Sequence, residues 1–297
     1  MAQLDANGLR IEYDTFGNPN DDPILLIMGL GTQMIAWPVD FCEALAARGH
    51  YVIRFDNRDI GLSTKFDGVR SPGRLRYLIN HLLGTPLDAP YTLSDMAADA
   101  VGVLDALDIE SAHVVGASMG GMIAQLITVR RPERVKSLTS IMSTSGAPGL
   151  PRPRADVMRH VFRDRPSKGD EKAMFEHLVK SVRLISSPGD PRSDDEFRTL
   201  IKTTIERSFY PQGFVRQLAA IVDDGSRVSR LKTIDKPSLV IHGRDDPLVP
   251  VECGIDTARH IKGAKLEIID GMGHDFPPQL IGRLTSLIAD HLGEAGR

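Results

Sequence analysis

Gly116-Ala117-Ser118-Met119-Gly120 sets a serine between two glycines, each two positions away. The run before it, His113-Val114-Val115, reads as a strand, and the run after it, Met122 to Ile127, reads as a helix. A strand that turns at once into a helix forces its corner residue into strained backbone geometry and leaves no room for side chains two positions to either side. Glycine at 116 and 120 removes those side chains. The Ser118 hydroxyl then projects from the end of a sheet, over a helix N-terminus whose free N–H groups carry partial positive charge. That placement suits a nucleophile; the alternative is a glycine-rich turn with a structural serine. A serine hydroxyl is a weak nucleophile at neutral pH, so it needs a base, and the base needs a group to orient it.

Nine histidines are available as the base. His113 lies inside the strand-like run before Ser118, where packing is the simpler role, and His242 lies within another strand-like run. His50, His260 and His291 fall at or near helix ends, and His81, His160 and His177 in irregular or inserted segments. His274 closes Gly271-Met272-Gly273-His274, a loop after the last strand-like run. Such a loop can reach the same sheet edge as Ser118. His242-Gly243-Arg244-Asp245-Asp246-Pro247 offers two acids at another strand end. Asp246 precedes a proline, which confines its backbone. The loop after the strand ending near Ser143, Thr144-Ser145-Gly146-Ala147-Pro148, has no carboxylate. An oxyanion hole requires two backbone N–H groups. Met119, next to the serine, supplies one. Met28-Gly29-Leu30-Gly31-Thr32 follows an early strand, and Leu30 is the candidate for the second; the alternative is a plain glycine turn.

These residues need a sheet to bring them together. Asp22–Gly29, Tyr51–Asn57, Ala112–Ala117, Ser137–Ser143, Ser238–Gly243 and Leu266–Asp270 are almost continuously apolar, as strands buried on both faces are. Amphipathic runs at Ile35–Arg48, Leu93–Leu107, Met119–Arg131 and Val251–Ile261 alternate with them, which implies parallel strands joined by crossover helices. Asn7-Gly8 favours a hairpin ahead of this series. The alternation stops between about Thr144 and Leu231, where charged, helical-looking pieces are broken at Ser186-Ser187-Pro188-Gly189 and Tyr210-Pro211. The expected organisation is therefore an α/β core over 1–144 and 231–297, with a helical insertion over 145–230 that roofs the site.

The 297 residues carry a formal net charge of −3 and no long basic run, which argues against a nucleic-acid partner. Cys42 and Cys253 are the only cysteines, so a disulfide framework is not expected and a reducing compartment fits. The start, Met1-Ala2-Gln3-Leu4-Asp5, lacks the pattern of a secretory signal, and no apolar run is long enough to span a bilayer. A cytoplasmic location is expected. The histidines and carboxylates show no ligand spacing, so neither a metal nor a cofactor is expected. Oligomeric state is left open, with a homo-oligomer allowed.

With these features the chain resembles the α/β-hydrolase family over nearly its whole length. The resemblance rests on the Ser118 elbow, on the H-G-x-x-D-P-x-V-P pattern holding Asp246, and on the G-x-G-H pattern holding His274. The order Ser, Asp, His along the chain is also that family's order. It implies Ser118 as nucleophile, Asp246 rather than Asp245 as orienting acid, His274 as base, and backbone oxyanion donors at Leu30 and Met119. Asp56-Asn57-Arg58-Asp59-Ile60-Gly61-Leu62-Ser63 is similar to the family's D-x-R-G-x-G-x-S turn, with Asp59 in place of glycine, and is read as structural. More narrowly, the M-G-x-G loop, Trp37 and the G-x-S-M-G elbow resemble bacterial carboxylesterases related to aclacinomycin methylesterase; Met28 stands where many family members have histidine. The implied activity is hydrolysis of a small-molecule carboxylic ester through an acyl-enzyme. Alternatives on the same triad are a cofactor-free perhydrolase or haloperoxidase, a lactonase or a thioesterase. An alternative of another class is a non-catalytic ligand-binding homologue, which the retention of all three triad residues disfavours.

Overall fold

Asn7 and Gly8 both adopt left-handed backbone angles, with φ of 49° and 75°. A two-residue turn with two positive φ values has the twist that an antiparallel pair needs, and it joins β1 (Ala2–Ala6) to β2 (Leu9–Phe16). The computed structural model describes residues 1–83, 85–162, 164, 166 and 169–295. Six further strands follow: β3 (Asp22–Ile27), β4 (His50–Phe55), β5 (Ala112–Ala117), β6 (Val135–Ile141), β7 (Ser238–Gly243) and β8 (Lys265–Ile269). The eight form one sheet in the order β1-β2-β4-β3-β5-β6-β7-β8. β3 to β8 run parallel, and β2 pairs antiparallel with β4.

Around the sheet lie α1 (Val39–Ala46), α2 (Arg74–Leu83), α3 (Leu93–Ala106) and α4 (Met119–Arg130). Between β6 and β7 run α5 (Ala155–Phe162), α6 (Glu171–Ile185), α7 (Asp194–Arg207), α8 (Pro211–Asp224) and α9 (Val228–Leu231). α10 (Val251–His260) and α11 (Ile281–Ala295) complete the chain. The first amphipathic run starts its helix at Val39 rather than Ile35, because Pro38 occupies the N-cap and a short 3₁₀ turn over Met34–Ala36 precedes it. His50 is the first residue of β4 rather than a helix end, and His291 lies inside α11. β8 departs from the fully buried expectation: it is the sheet edge, and Lys265 and Leu266 are exposed.

Side chains alternate across the central strands and feed two cores. Leu25 and Ile27 of β3 pack with Ile53, Phe55 and residues of α3 and α4 on one face. Ile24 and Leu26 pack with Val52, Trp37, Phe41 and residues of α11 on the other. All four β3 residues are fully buried. The chain leaves β3 for β4 on one side, and β5 lies on the other. The carboxyl ends of β3 and β5 therefore flank the switch point at which open α/β sheets form their crevices.

α4 begins so close to β3 that a Cβ on Gly120 would lie 2.0 Å from the Ile27 carbonyl oxygen. Neither backbone can yield without disturbing the sheet. Gly120→Ala is expected to destabilise the fold by about 1–3 kcal/mol or more, seen as a lowered midpoint in urea unfolding; an unchanged midpoint would contradict this packing.

Candidate active site

Ser118 follows β5 and caps α4 with φ 56° and ψ −119°, a region that costs a non-glycine residue about 1–3 kcal/mol. The surroundings hold it there. Its N–H donates to the Ile141 carbonyl at 2.9 Å, and its own carbonyl accepts from the Ser143 hydroxyl at 2.8 Å and the Gly121 N–H at 2.9 Å. A Cβ on Gly116 would lie 2.1 Å from the Gly120 carbonyl oxygen. The two flanking glycines thus touch each other across the turn, which is why neither can carry a side chain.

The carboxyl ends of β7 and β8 deliver the partners. His274 Nε2 lies 3.1 Å from Ser118 Oγ, and His274 Nδ1 lies 2.7 Å from Asp246 Oδ2. Donation from Nδ1–H to the carboxylate leaves Nε2 free to accept the serine proton. Asp246 is buried, and its Oδ1 accepts from the Leu248 N–H at 2.9 Å and the Val249 N–H at 2.8 Å. Burial would raise its pKa, but the charge and hydrogen bond of His274, with His242 close by, outweigh it and hold the carboxyl well below the usual carboxylate range. His242, in the β7 strand where the sequence places it, also faces the acid: its Nε2 lies 2.7 Å from the Val249 carbonyl and 3.6 Å from Asp246 Oδ2. Asp245 points elsewhere. Its Oδ2 accepts from the Gly271 N–H at 2.8 Å and so ties β7 to the turn after β8.

Met119 is the first residue of α4. The loop after β3 comes so near that a Cβ on Gly29 would lie 3.1 Å from the Ser118 Cβ. Met28 is buried in the apolar cluster with Trp37, and its carbonyl accepts from Asn57 Nδ2 at 2.9 Å. The turn after β4 is structural, as read: Asp56 accepts from the Met34 N–H at 2.8 Å and the Leu62 N–H at 2.9 Å, and Arg58 pairs with Asp99. Asp59, in the glycine position of the pattern, takes φ 69° and pairs with Arg216 of α8 at 2.7 Å.

Sequence reasoning missed the grip that the inserted segment has on the histidine loop. The His274 N–H donates to the Ile185 carbonyl at 2.8 Å, and the Gly273 N–H donates to Ser187 Oγ at 2.8 Å. Asp275 accepts from the Ser187 N–H at 3.0 Å and hydroxyl at 2.6 Å, and Arg192 bridges it at 2.7 Å to Asp190. The break at Ser186–Gly189 was visible in the sequence, but nothing there pointed to Asp275 as its partner. Among the described residues no group of three or more His, Cys, Asp or Glu could hold a metal ion, and no helix is long and apolar enough to cross a membrane.

A serine at the strand-to-helix turn after the fifth strand of a mostly parallel sheet, with a histidine and an aspartate from later strand ends, is the arrangement of an α/β hydrolase. The chain belongs to that family: the profile of the alpha/beta hydrolase fold matches residues 22–278. It is 32% identical over 298 residues to rhodomycin D methylesterase DnrP of Streptomyces peucetius, covering 93% of this chain and 92% of that protein. It is 30% identical over 213 residues to 2-hydroxymuconate semialdehyde hydrolase of Pseudomonas sp. (strain CF600), covering 71% of this chain and 72% of that one. The meta-cleavage product hydrolase CumD from Pseudomonas fluorescens IP01 shares the fold, with a TM-score of 0.78 at 21% identity over 99% of this chain and 98% of its own.

Burial, and then Asp190, push the Asp275 carboxyl up from 3.8 to about 6, against the hydrogen bond from Ser187 and the charge of Arg192. A carboxyl raised on folding binds its proton more tightly in the folded state. Its contribution to stability is complete below 3.8 and is lost as the pH rises through about 6. Asp275→Asn cannot ionise, so its melting temperature relative to the wild type should rise between about pH 4 and pH 7. Melting curves at matched pH check this; a difference that stays flat or falls would contradict it.

Proposed function

We propose that the chain hydrolyses carboxylic esters through an acyl-enzyme, with Ser118 as nucleophile, His274 as general base and Asp246 as the acid that orients it. The observation that carries this reading is the unbroken relay from Ser118 Oγ to His274 Nε2 at 3.1 Å and from His274 Nδ1 to Asp246 at 2.7 Å. Ser118 Oγ attacks the ester carbonyl carbon while its proton passes to Nε2. The carbonyl oxygen becomes an oxyanion, held by the N–H groups of Leu30 and Met119. Collapse expels the alcohol, which takes the proton back from the imidazolium, and leaves an ester on Ser118. Water, deprotonated by His274, then repeats the attack and releases the acid. Asp246, buried and held ionised, fixes the Nδ1–H tautomer and offsets the imidazolium charge.

Two relatives are methylesterases by name, and methyl esters are accordingly the substrate class proposed first. We read residues 145–230 as a cap over a core of 1–144 and 231–297. Its hold on the His274 loop through Ile185, Ser187 and Arg192 supports that division.

Three measurements on a panel of methyl and p-nitrophenyl esters test the assignment. Ser118→Ala should lose about a million-fold in kcat with the fold intact; retention of most activity would overturn it. Turnover should fall on acidification, because a protonated imidazole cannot accept the serine proton, and His274→Ala should remove the activity together with that acid limb. Asp246→Asn should lose about 10⁴-fold in kcat. Asp245→Asn keeps an acceptor for the Gly271 N–H and should change kcat little; the opposite ranking would reassign the acid.

A further inference from the structure

Gly29, Leu30, Gly31 and Thr32 form a β-turn. The Thr32 N–H donates to the Gly29 carbonyl at 3.3 Å, and Gly31, at the third position, takes φ +65°. A positive φ there marks a turn whose central peptide, Leu30 C=O to Gly31 N–H, is reversed relative to the commoner type. Glycine at that position admits this form. Both ends of this peptide are held. Thr32 Oγ1 donates to the Leu30 carbonyl at 3.1 Å, and the Gly31 N–H donates to Gln217 Oε1 at 2.8 Å.

Gln217 belongs to α8, remote in sequence, and its side chain is fully buried. Its Nε2 donates to the Arg58 carbonyl at 2.8 Å. One partner is an obligate donor and the other an obligate acceptor, so the amide has one orientation and bridges this turn to the turn after β4. One turn earlier on α8, Phe214 lies against Gly31, where an added Cβ would sit 2.5 Å from Cδ2 of that ring. α8 has separate anchors on the core. A Cβ on Gly213 would lie 2.0 Å from the Asp59 carbonyl oxygen, and Arg216 pairs with the buried Asp59, which also accepts from the Tyr91 hydroxyl at 2.8 Å.

We infer that Gln217 is a positioning residue for the oxyanion loop: by accepting from the Gly31 N–H it ties the turn that carries the Leu30 N–H to α8 and so fixes where that donor sits. The inference rests on the proposed roles of Ser118 and Leu30. The Leu30 N–H belongs to the peptide before the one that Gln217 holds, so a shift of the untethered turn as a body moves a donor that must sit within a few tenths of an ångström of the developing oxyanion. The inserted helices would then complete the catalytic apparatus as well as cover it.

The test compares Gln217→Met and Gln217→Glu with the wild type on a methyl ester and its thiono analogue. In the thiono ester a sulfur replaces the carbonyl oxygen; it is a weaker hydrogen-bond acceptor on a longer bond, so an intact hole favours the oxo ester. Gln217→Met has similar length and no hydrogen bonds. It should lose on the order of ten- to a hundredfold in kcat with KM little changed, and its oxo-to-thiono rate ratio should fall. Gln217→Glu still accepts from Gly31 but turns an oxygen toward the Arg58 carbonyl. It should melt at a lower temperature and yet keep an oxo-to-thiono ratio near that of the wild type. An unchanged kcat in Gln217→Met, or a ratio that follows melting temperature across the two variants, would overturn the inference. Residual turnover in Ser118→Ala under the same conditions would instead remove the reading on which it rests.

Discussion

Three backbones meet beneath Ser118 with no side chain between them. Gly116 touches Gly120 across the elbow, and Gly120 touches Ile27 of the neighbouring strand, at separations no Cβ permits. This contact fixes the strand-to-helix turn, and with it the strained angles of Ser118, the start of α4 and the position of the Met119 N–H. It also sets how near the loop after β3 comes to the hydroxyl. The strain at one residue is affordable because the sheet and two buried apolar layers over-determine the geometry around it.

From that fixed point the remaining groups arrive by two routes. Strand ends supply the first: β7 brings Asp246, and β8 brings the loop of His274. Asp246 is a buried charge, which alone would be costly. Two backbone N–H donors and two imidazoles around it make the ionised form the stable one. The helices between β6 and β7 supply the second route. They bond the backbone of Gly273 and His274 at one side of Ser118 and the backbone of Gly31 at the other. Both flanks of Ser118 are therefore secured by residues remote in sequence from those they hold.

The sheet was legible because its central strands are apolar throughout and its helices amphipathic, so the alternation of periods announced parallel β–α units. β5 runs over Ala112–Ala117 as expected, and Asn7-Gly8 makes the expected hairpin. α11 was missed although Ile281, Leu284, Ile288 and Leu292 carry a helical spacing that buries one face. The geometry brings Ser118, His274 and Asp246 together because each sits in a loop whose local sequence marks a strand end. Ser187, Arg192, Asp275 and Gln217 gave no such sign. Each acts on a residue far along the chain, and a polar side chain in a helix or connecting loop looks the same in sequence whether it faces water or a buried peptide. His242 shows the converse: its place in a strand was legible, but its position beside Asp246 depends on the curl of the chain through Val249, which periodicity does not encode.

The most direct test is to find which side chain carries the covalent intermediate. A fluorophosphonate ester reacts only with a serine whose oxygen is activated and whose adduct can place an oxygen in an oxyanion hole. After reaction, peptide mass mapping should find one phosphonyl group per chain, on the peptide holding Ser118, and none in Ser118→Ala. A label on another residue, or an active enzyme whose Ser118 stays unmodified while turnover is blocked, would contradict the assignment of the nucleophile.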